Sequence, residues 1–250
     1  MLTRGQPTHT ERCQLLTAHP DKPLLYSSES ILERRRRLLR ETRHMLSEVG
    51  LEGFSVRKLC QRAEVAQRTF YNAFSSKDRL IALAIRDAYD EFQKFISYRT
   101  DAQTVAGIVD RTLSTNRRNF KIKHYTKAVA TIYFAPTTPK DIWYAIQDMA
   151  VAGWRDWFTL LRSRGELNEW IDIEVFANQL ANLQYSIIND WSCDRLSDEE
   201  YLRAMLHGTL TYALGAIKGA PRQEAENILK ETDRSGALPT FPSAIWGPPK

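Results

Sequence analysis

The sequence predicts an all-α fold: an N-terminal three-helix head containing a helix-turn-helix, followed by a larger helical body. Three observations carry this expectation. Apolar residues between Leu38 and Leu80 recur at helical spacing and break where two short helices would meet. Beyond Arg99 the apolar stripes keep a helical period and are stopped by proline or glycine, with no strand-like alternation bounded by hairpin turns. Positive charge sits in the first of these regions. Residues 30–80 hold twelve Lys/Arg against six acids, an excess of six, whereas the whole 250-residue chain carries +5, so the remainder is close to neutral.

Taken in order, residues 1–29 show prolines, histidines and threonines without periodicity and read as a flexible extension. Ser30 and Glu33 have capping-box spacing, so helix 1 is expected to start there and to end at Gly50 as a C-cap. Ser55 caps a short helix 2 that buries Val56, Leu59 and Cys60. A turn follows at Ala63-Glu64-Val65, with Val65 as its apolar plug. Helix 3, from about Gln67 to Phe74, buries Phe70 and Phe74 at i, i+4 and turns Gln67, Arg68, Thr69, Tyr71 and Asn72 to the other side. Such a helix is short, polar on one face and able to enter a major groove.

Ser75-Ser-Lys-Asp78 again has capping spacing and opens helix 4, with Leu80, Leu83, Ala84, Ala88, Phe92, Phe95 and Ile96 as its apolar positions. Helix 4 connects the head (residues 30–76) to the body (77–232). Helix 5 is expected over Thr104 to Phe120 and helix 6 over Lys123 to Ala135. Helix 7 runs from Pro139, as an N1 proline, to about Arg164. Helix 8 covers Ile173 to Trp191, helix 9 covers Asp198 to Lys218, and a short helix follows over Pro221 to Glu231. The tail from 233 to 250 carries four prolines and does not continue as helix.

Composition narrows the function classes. Apolar residues at 43% and charged residues at 26% describe a globular chain. The longest apolar run, Ala128 to Ala135, is too short to cross a bilayer, and the start has no apolar signal-like core. Three scattered cysteines suit reduced thiols in a cytoplasm and make no metal-ligand spacing. Paired carboxylates, a nucleophile elbow and a phosphate-cradling glycine loop are all missing, so no enzyme, cofactor or metal is expected. A positive excess confined to the helix-turn-helix is what contact with a phosphate backbone requires.

The residues Leu38-Leu39, Gly50, Phe54-Ser55-Val56, Leu59, Ala63, Val65, Thr69-Phe70-Tyr71, Phe74 and Lys77-Asp78-Arg79-Leu80 resemble the DNA-binding domain of TetR-type transcriptional regulators. The likeness covers about a fifth of the chain. It has two departures: Glu64 stands where the family usually has a turn glycine, and Ala66 where it has a capping Ser or Thr. A left-handed Glu64 costs on the order of 1 kcal/mol, and the missing cap about 0.5–2 kcal/mol.

The resemblance implies roles position by position. Ser55 and Arg57 open helix 2, where Arg57 reaches a base edge and suits guanine. Gln67 and Arg68 meet bases, Thr69 and Tyr71 meet phosphate and thymine methyl groups, Asn72 sits at a variable position, and Lys77 holds a phosphate. From the run Arg34–Arg37, Arg36 and Arg37 are assigned to the DNA backbone, since four successive arginines point around a helix; the run also reads as a solvated face.

Implied partners are a double-stranded DNA operator, a second copy of the chain and a small-molecule effector, with no membrane. The dimer is expected through helices 8 and 9 (about 173–191 and 198–218). Their apolar stripe is Ile173, Phe176, Ala177, Leu180, Leu183, Ile187 and Trp191 on one helix, and Tyr201, Leu202, Met205, Leu210, Leu214 and Ile217 with the small residues Ala204, Gly208, Ala213, Gly215 and Ala216 on the other. An internal core pair is the other reading of the same pattern. Trp143, Ile146, Trp154 and Trp157, which share a face of helix 7 with Ala150, and Phe176 are core or line a pocket for an apolar or aromatic ligand. The basic run Arg117, Arg118, Lys121, Lys123, His124 and Lys127 reads as solvated surface, as added phosphate contacts or as a receiver for an acidic effector. The functional expectation is a dimeric DNA-binding regulator, a repressor released by its ligand. The alternative is the same fold acting through a protein partner without its own operator.

Overall fold

The computed structural model describes residues 29–242 and 245–246. The extension expected over 1–29 lies outside the described residues apart from Glu29, as does most of the tail beyond residue 242. Among the described residues there are ten α-helices: α1 (Glu29–Val49), α2 (Val56–Arg62), α3 (Gln67–Phe74), α4 (Lys77–Phe95), α5 (Val105–Asn119), α6 (Lys123–Phe134), α7 (Lys140–Ser163), α8 (Ile173–Ser192), α9 (Asp198–Leu214) and α10 (Ala220–Ser235). The last is longer than expected, because Gly236 at φ +71° supplies the stop.

Several caps differ from expectation. Ser30 lies inside α1, so the Ser30–Glu33 spacing is not its start. Ser76, not Ser75, caps α4 by accepting from the Arg79 N–H, while Ser75 takes φ +66° to close α3. Pro139 is the N-cap of α7 rather than its first helical residue. Gly50, at φ +64°, ends α1 in the left-handed conformation that glycine adopts most readily. One strand pair was not foreseen: β1 (Ile96–Ser97) lies antiparallel to β2 (Ile245–Trp246), Ile96 opposite Trp246. Two residues a side are too short to show alternation.

A core of Leu38, Leu46, Leu59, Phe70, Phe74 and Leu80 holds the head together, and it continues through Ile81 and Ile85 of α4 onto Ile142 and Ile146 of α7. Head and body therefore share apolar contacts through α4. Phe95, assigned to the apolar side of that helix, is 47% exposed. The body core gathers Leu113, Trp154, Phe158, Leu180, Trp191, Tyr201 and Met205.

In α8 and α9 the expected apolar stripe divides. Ala177, Leu180, Trp191, Tyr201, Leu202, Met205, Leu210, Ala213 and Ala216 are buried in the chain's own core. Ile173, Phe176, Leu183, Ile187, Ala204, Gly208 and Gly215 keep surface. A Cβ on Gly208 would lie 3.1 Å from Ile187 Cδ1, so this glycine lets α9 approach α8 within one chain.

Candidate nucleic-acid interface and internal cavity

The head is built to present α3. Phe70 and Phe74 are 0% and 1% exposed, and anchoring them turns Gln67, Arg68, Tyr71 and Asn72 outward, all exposed, with Thr69 half-buried. Tyr71 is 52% exposed, its ring edge-on to Phe70 at 4.9 Å between centroids. A large aromatic left in water on a polar helix face is an unusual expense for a lone chain.

The neighbouring helix is positioned by Ser55, whose hydroxyl accepts from the Lys58 N–H at 3.4 Å. That fixes the start of α2 and leaves Arg57 exposed at its first turn. Arg62 holds the other end of α2 against α1 by donating to both Glu48 oxygens at 2.6 and 2.8 Å, with Glu41 at 3.3 Å. These bonds keep the Glu48 carboxyl below the usual carboxylate range. Lys77, at the start of α4, sits 5.9 Å over the Phe54 ring, half-buried beside the same surface.

The arginine run splits by direction, as helix geometry requires. Arg35 donates to the Ala73 carbonyl at 3.5 Å and lies 5.0 Å over Phe74, so it touches α3. Arg36 is exposed beside Glu33 at 3.7 Å. Arg37 reaches across to Glu64 at 3.2 Å, in the turn before α3.

Behind the head lies a cavity of about 790 Å³. Its walls come from Arg43 of α1, Phe92 of α4, Arg118 of α5, Tyr125 of α6, Trp154 of α7, Tyr185 of α8 and Met205 of α9. Of the five residues expected to bind a ligand, Trp154 lines it. Trp143 instead stacks on Tyr133, with ring centroids 5.7 Å apart, and Ile146 is fully buried in the core beneath α4. Trp157 donates its indole N–H to the Gln103 carbonyl at 3.3 Å, and Phe176 packs between Phe158 and Tyr212. The cavity draws on the basic run instead, with Arg118, Lys121, Lys123 and His124 at its edge. Burial pushes the phenols of Tyr125 and Tyr185 above their ordinary range.

The comparisons with known proteins agree with the head's geometry. Residues 38–84 match the family model described as bacterial regulatory proteins, tetR family. The HTH-type transcriptional repressor KstR of Mycobacterium tuberculosis is 34% identical over 102 residues, which is 41% of this chain and 43% of that protein. The head is thus similar to the DNA-binding region of TetR-type regulators, and the chain spans less than half the length of the curated repressor it matches. TetR-family folds also surround it among solved structures. Full-length TylP, a TetR regulator from Streptomyces fradiae, superposes with a TM-score of 0.59 at 16% identity, covering 84% of this chain and all of that one. FadR of Thermus thermophilus, a TetR-family repressor solved in complex with lauroyl-CoA, gives 0.54 at 14% identity, covering 75% of this chain and 97% of its own. The matched family and these relatives carry the names of transcriptional regulators or repressors.

Against the TetR pattern, both departures have visible consequences. Glu64 does take the left-handed backbone, at φ +53°, and Ala66 caps α3 with its backbone alone, its carbonyl accepting from Thr69 at 2.9 Å. The sequence singled out Trp154 and the basic run of Arg118, Lys121, Lys123 and His124, but not the cavity they share, because its wall is assembled from seven helices. Arg43 is the clearest instance. It reads as one more member of a basic helix, yet it reaches Asp87 at 3.3 Å and Glu91 at 2.9 Å on α4. No local spacing signals a contact over that separation.

Proposed function

We propose that this protein is a dimeric, ligand-responsive transcriptional regulator, a repressor whose two α3 helices read the halves of an operator. The observation that carries the reading is α3 itself: two phenylalanines lock it down while Gln67, Arg68, Tyr71 and Asn72 face water. Arg57 and Arg68 are assigned guanine edges, Gln67 adenine, and Ser55, Thr69, Tyr71, Asn72 and Lys77 the adjacent backbone and methyl groups. Arg36 and Arg37 stand beside them as backbone contacts, with Arg35 supporting α3. One short helix reads few base pairs, so a second copy is needed for selectivity. The face of α8 and α9 that keeps surface, with Val175 52% exposed beside Leu183, Ala204 and Gly208, is the proposed dimer contact.

Release follows from α4. The helix carries Ile81 and Ile85 in the head core and Phe92 in the cavity wall, and Arg43 ties it to α1 through Asp87 and Glu91. A molecule entering the cavity meets both α1 and α4, so occupancy biases where the head sits. The support for an effector at this place is the cavity's size, within the usual range for small-molecule sites.

Selecting bound duplexes from a random pool, then measuring affinity against salt, tests the reading. The expected result is a site with dyad symmetry and a steep fall of affinity as salt rises. Arg68→Ala should cost about 1–3 kcal/mol at one operator position and relax the preference there. A selected pool with no dyad, or an affinity indifferent to salt, would refute the operator reading.

A further inference from the structure

We propose that the cavity takes an amphipathic organic anion, its charged head held by Arg118 and the Tyr125 hydroxyl and its apolar body lying toward Ile85, Ile108, Val129 and Ile188. The inference rests on the reading of this cavity as the effector site and names the chemistry of what enters it.

The charge balance of the wall is the first argument. Five Lys/Arg line the cavity (Arg43, Arg111, Arg118, Lys121 and Lys123) against a single acid, Glu91. Three of the five are already engaged. Arg43 pairs with Asp87 and Glu91, Arg111 donates to the Gly107 carbonyl at 2.9 Å and to Thr100, and Lys123 reaches Asp194 at 2.7 Å. Arg118 is different. Its guanidinium lies 4.2 Å over the Phe92 ring, half out of water, and among the described residues no carboxylate stands within 4 Å of it. A guanidinium stays charged in proteins, so this charge is held in a poorly solvated place with no carboxylate in direct contact, Glu91 acting on it only from farther off.

The second argument is independent. The Tyr125 hydroxyl oxygen is buried and has no hydrogen-bond partner. A buried phenol left without an acceptor is costly in a folded protein and is a natural donor to an arriving oxyanion. Arg118 lies in the last turn of α5 and Tyr125 in the first turn of α6, with the short 3₁₀ turn Phe120–Ile122 between the two helices. Both line the cavity, where burial pushes the Tyr125 phenol up and the positive charges of Arg43 and Arg118 act against that. A guanidinium and a phenol in one cavity wall offer several N–H donors and one O–H to a carboxylate or a phosphate. The rest of the wall mixes polar side chains such as Thr112, Asn116 and Gln184 with an apolar part formed by Ile85, Ile108, Val129, Met149, Trp154 and Ile188, and that part fits a body that water rejects.

Calorimetric titration of the full-length chain with matched probes tests this. Decanoate is compared with decan-1-ol, 2-naphthoate with 2-naphthol, and decyl phosphate with both. In at least one pair the acid should bind tenfold or more tighter than its neutral counterpart. Decyl phosphate binding tighter than decanoate would support the proposal and assign the head as a phosphate; the reverse order would support it and assign a carboxylate. Arg118→Gln should remove the acid's preference while leaving the neutral probe within threefold. Tyr125→Phe, which keeps the ring, should reduce the acid's affinity about threefold and serves where the arginine variant does not fold. Equal binding of acid and neutral probes, no binding by any probe, or a preference that survives both substitutions would overturn the proposal. Duplex binding by the unliganded chain is measured alongside. Loss of that binding refutes the regulator reading, whereas the probe preference decides the anion site alone.

Discussion

Glu64 provides the sharpest test of how the head is held together. It occupies the turn between α2 and α3 at φ +53°, a backbone conformation that costs an L-residue roughly 1–2 kcal/mol and glycine almost nothing. Its side chain makes one contact, the 3.2 Å pair with Arg37, and is 81% exposed. An exposed pair of this kind contributes about 0–1 kcal/mol. Glu64→Ala deletes the pair and keeps the strained backbone; Glu64→Gly deletes the pair and relieves the backbone. The two variants therefore differ by the backbone contribution, less what glycine loses through its freer unfolded chain, about 0.4–1 kcal/mol. The glycine variant should be the more stable of the two by on the order of 1 kcal/mol. For a chain of this length that is a separation of about 2–4 °C in thermal midpoint, readable by circular dichroism at 222 nm. If the alanine variant melts at or above the glycine variant, the strain argument is wrong and the turn tolerates its side chain freely. A second readout comes from charge. Both variants remove one negative group beside Arg37, so both should bind duplex more tightly at low salt than the unsubstituted chain, and equally so.

Two further outcomes follow from the core and from the buried phenols. Phe70 is fully buried beneath α3, so Phe70→Ala should destabilise by about 3–5 kcal/mol and abolish duplex binding, checked by denaturant titration and gel shift on the same sample. Tyr133 is 5% exposed, with its hydroxyl between the side-chain oxygens of Gln147 and Asn182, and burial pushes its phenol up to about 12. A folded-state value above the unfolded one gives stability that is complete below pH 10 and lost as pH rises toward 12. Alkaline titration of stability should show a fall across that window that is shallower in Tyr133→Phe; an identical slope would mean another phenol carries the change.

What the sequence by itself determined is the part of this protein governed by neighbours in the chain. Helical period, the i, i+4 pair Phe70 and Phe74, the glycine at position 50 and the crowded basic residues are local signals, so the order of helices and the outward face of α3 could be read without coordinates. The same holds for Glu64, whose strain is a property of one residue in one turn. Only the tertiary structure decided the rest. The stripe of Trp143, Ile146, Ala150, Trp154 and Trp157 is a genuine helical face, yet Ile146 and Trp157 pack into the core while Ala150 and Trp154 line the cavity. Nothing in the period of a single helix says which neighbour its apolar side will meet. Arg43 finds Asp87 and Glu91, Arg118 finds Phe92, and Gly208 makes room for Ile187, because seven helices fold around one space and bring distant side chains within a few ångströms. A cavity belongs to the packing of helices against one another, and a linear pattern records only which residues are available to line it.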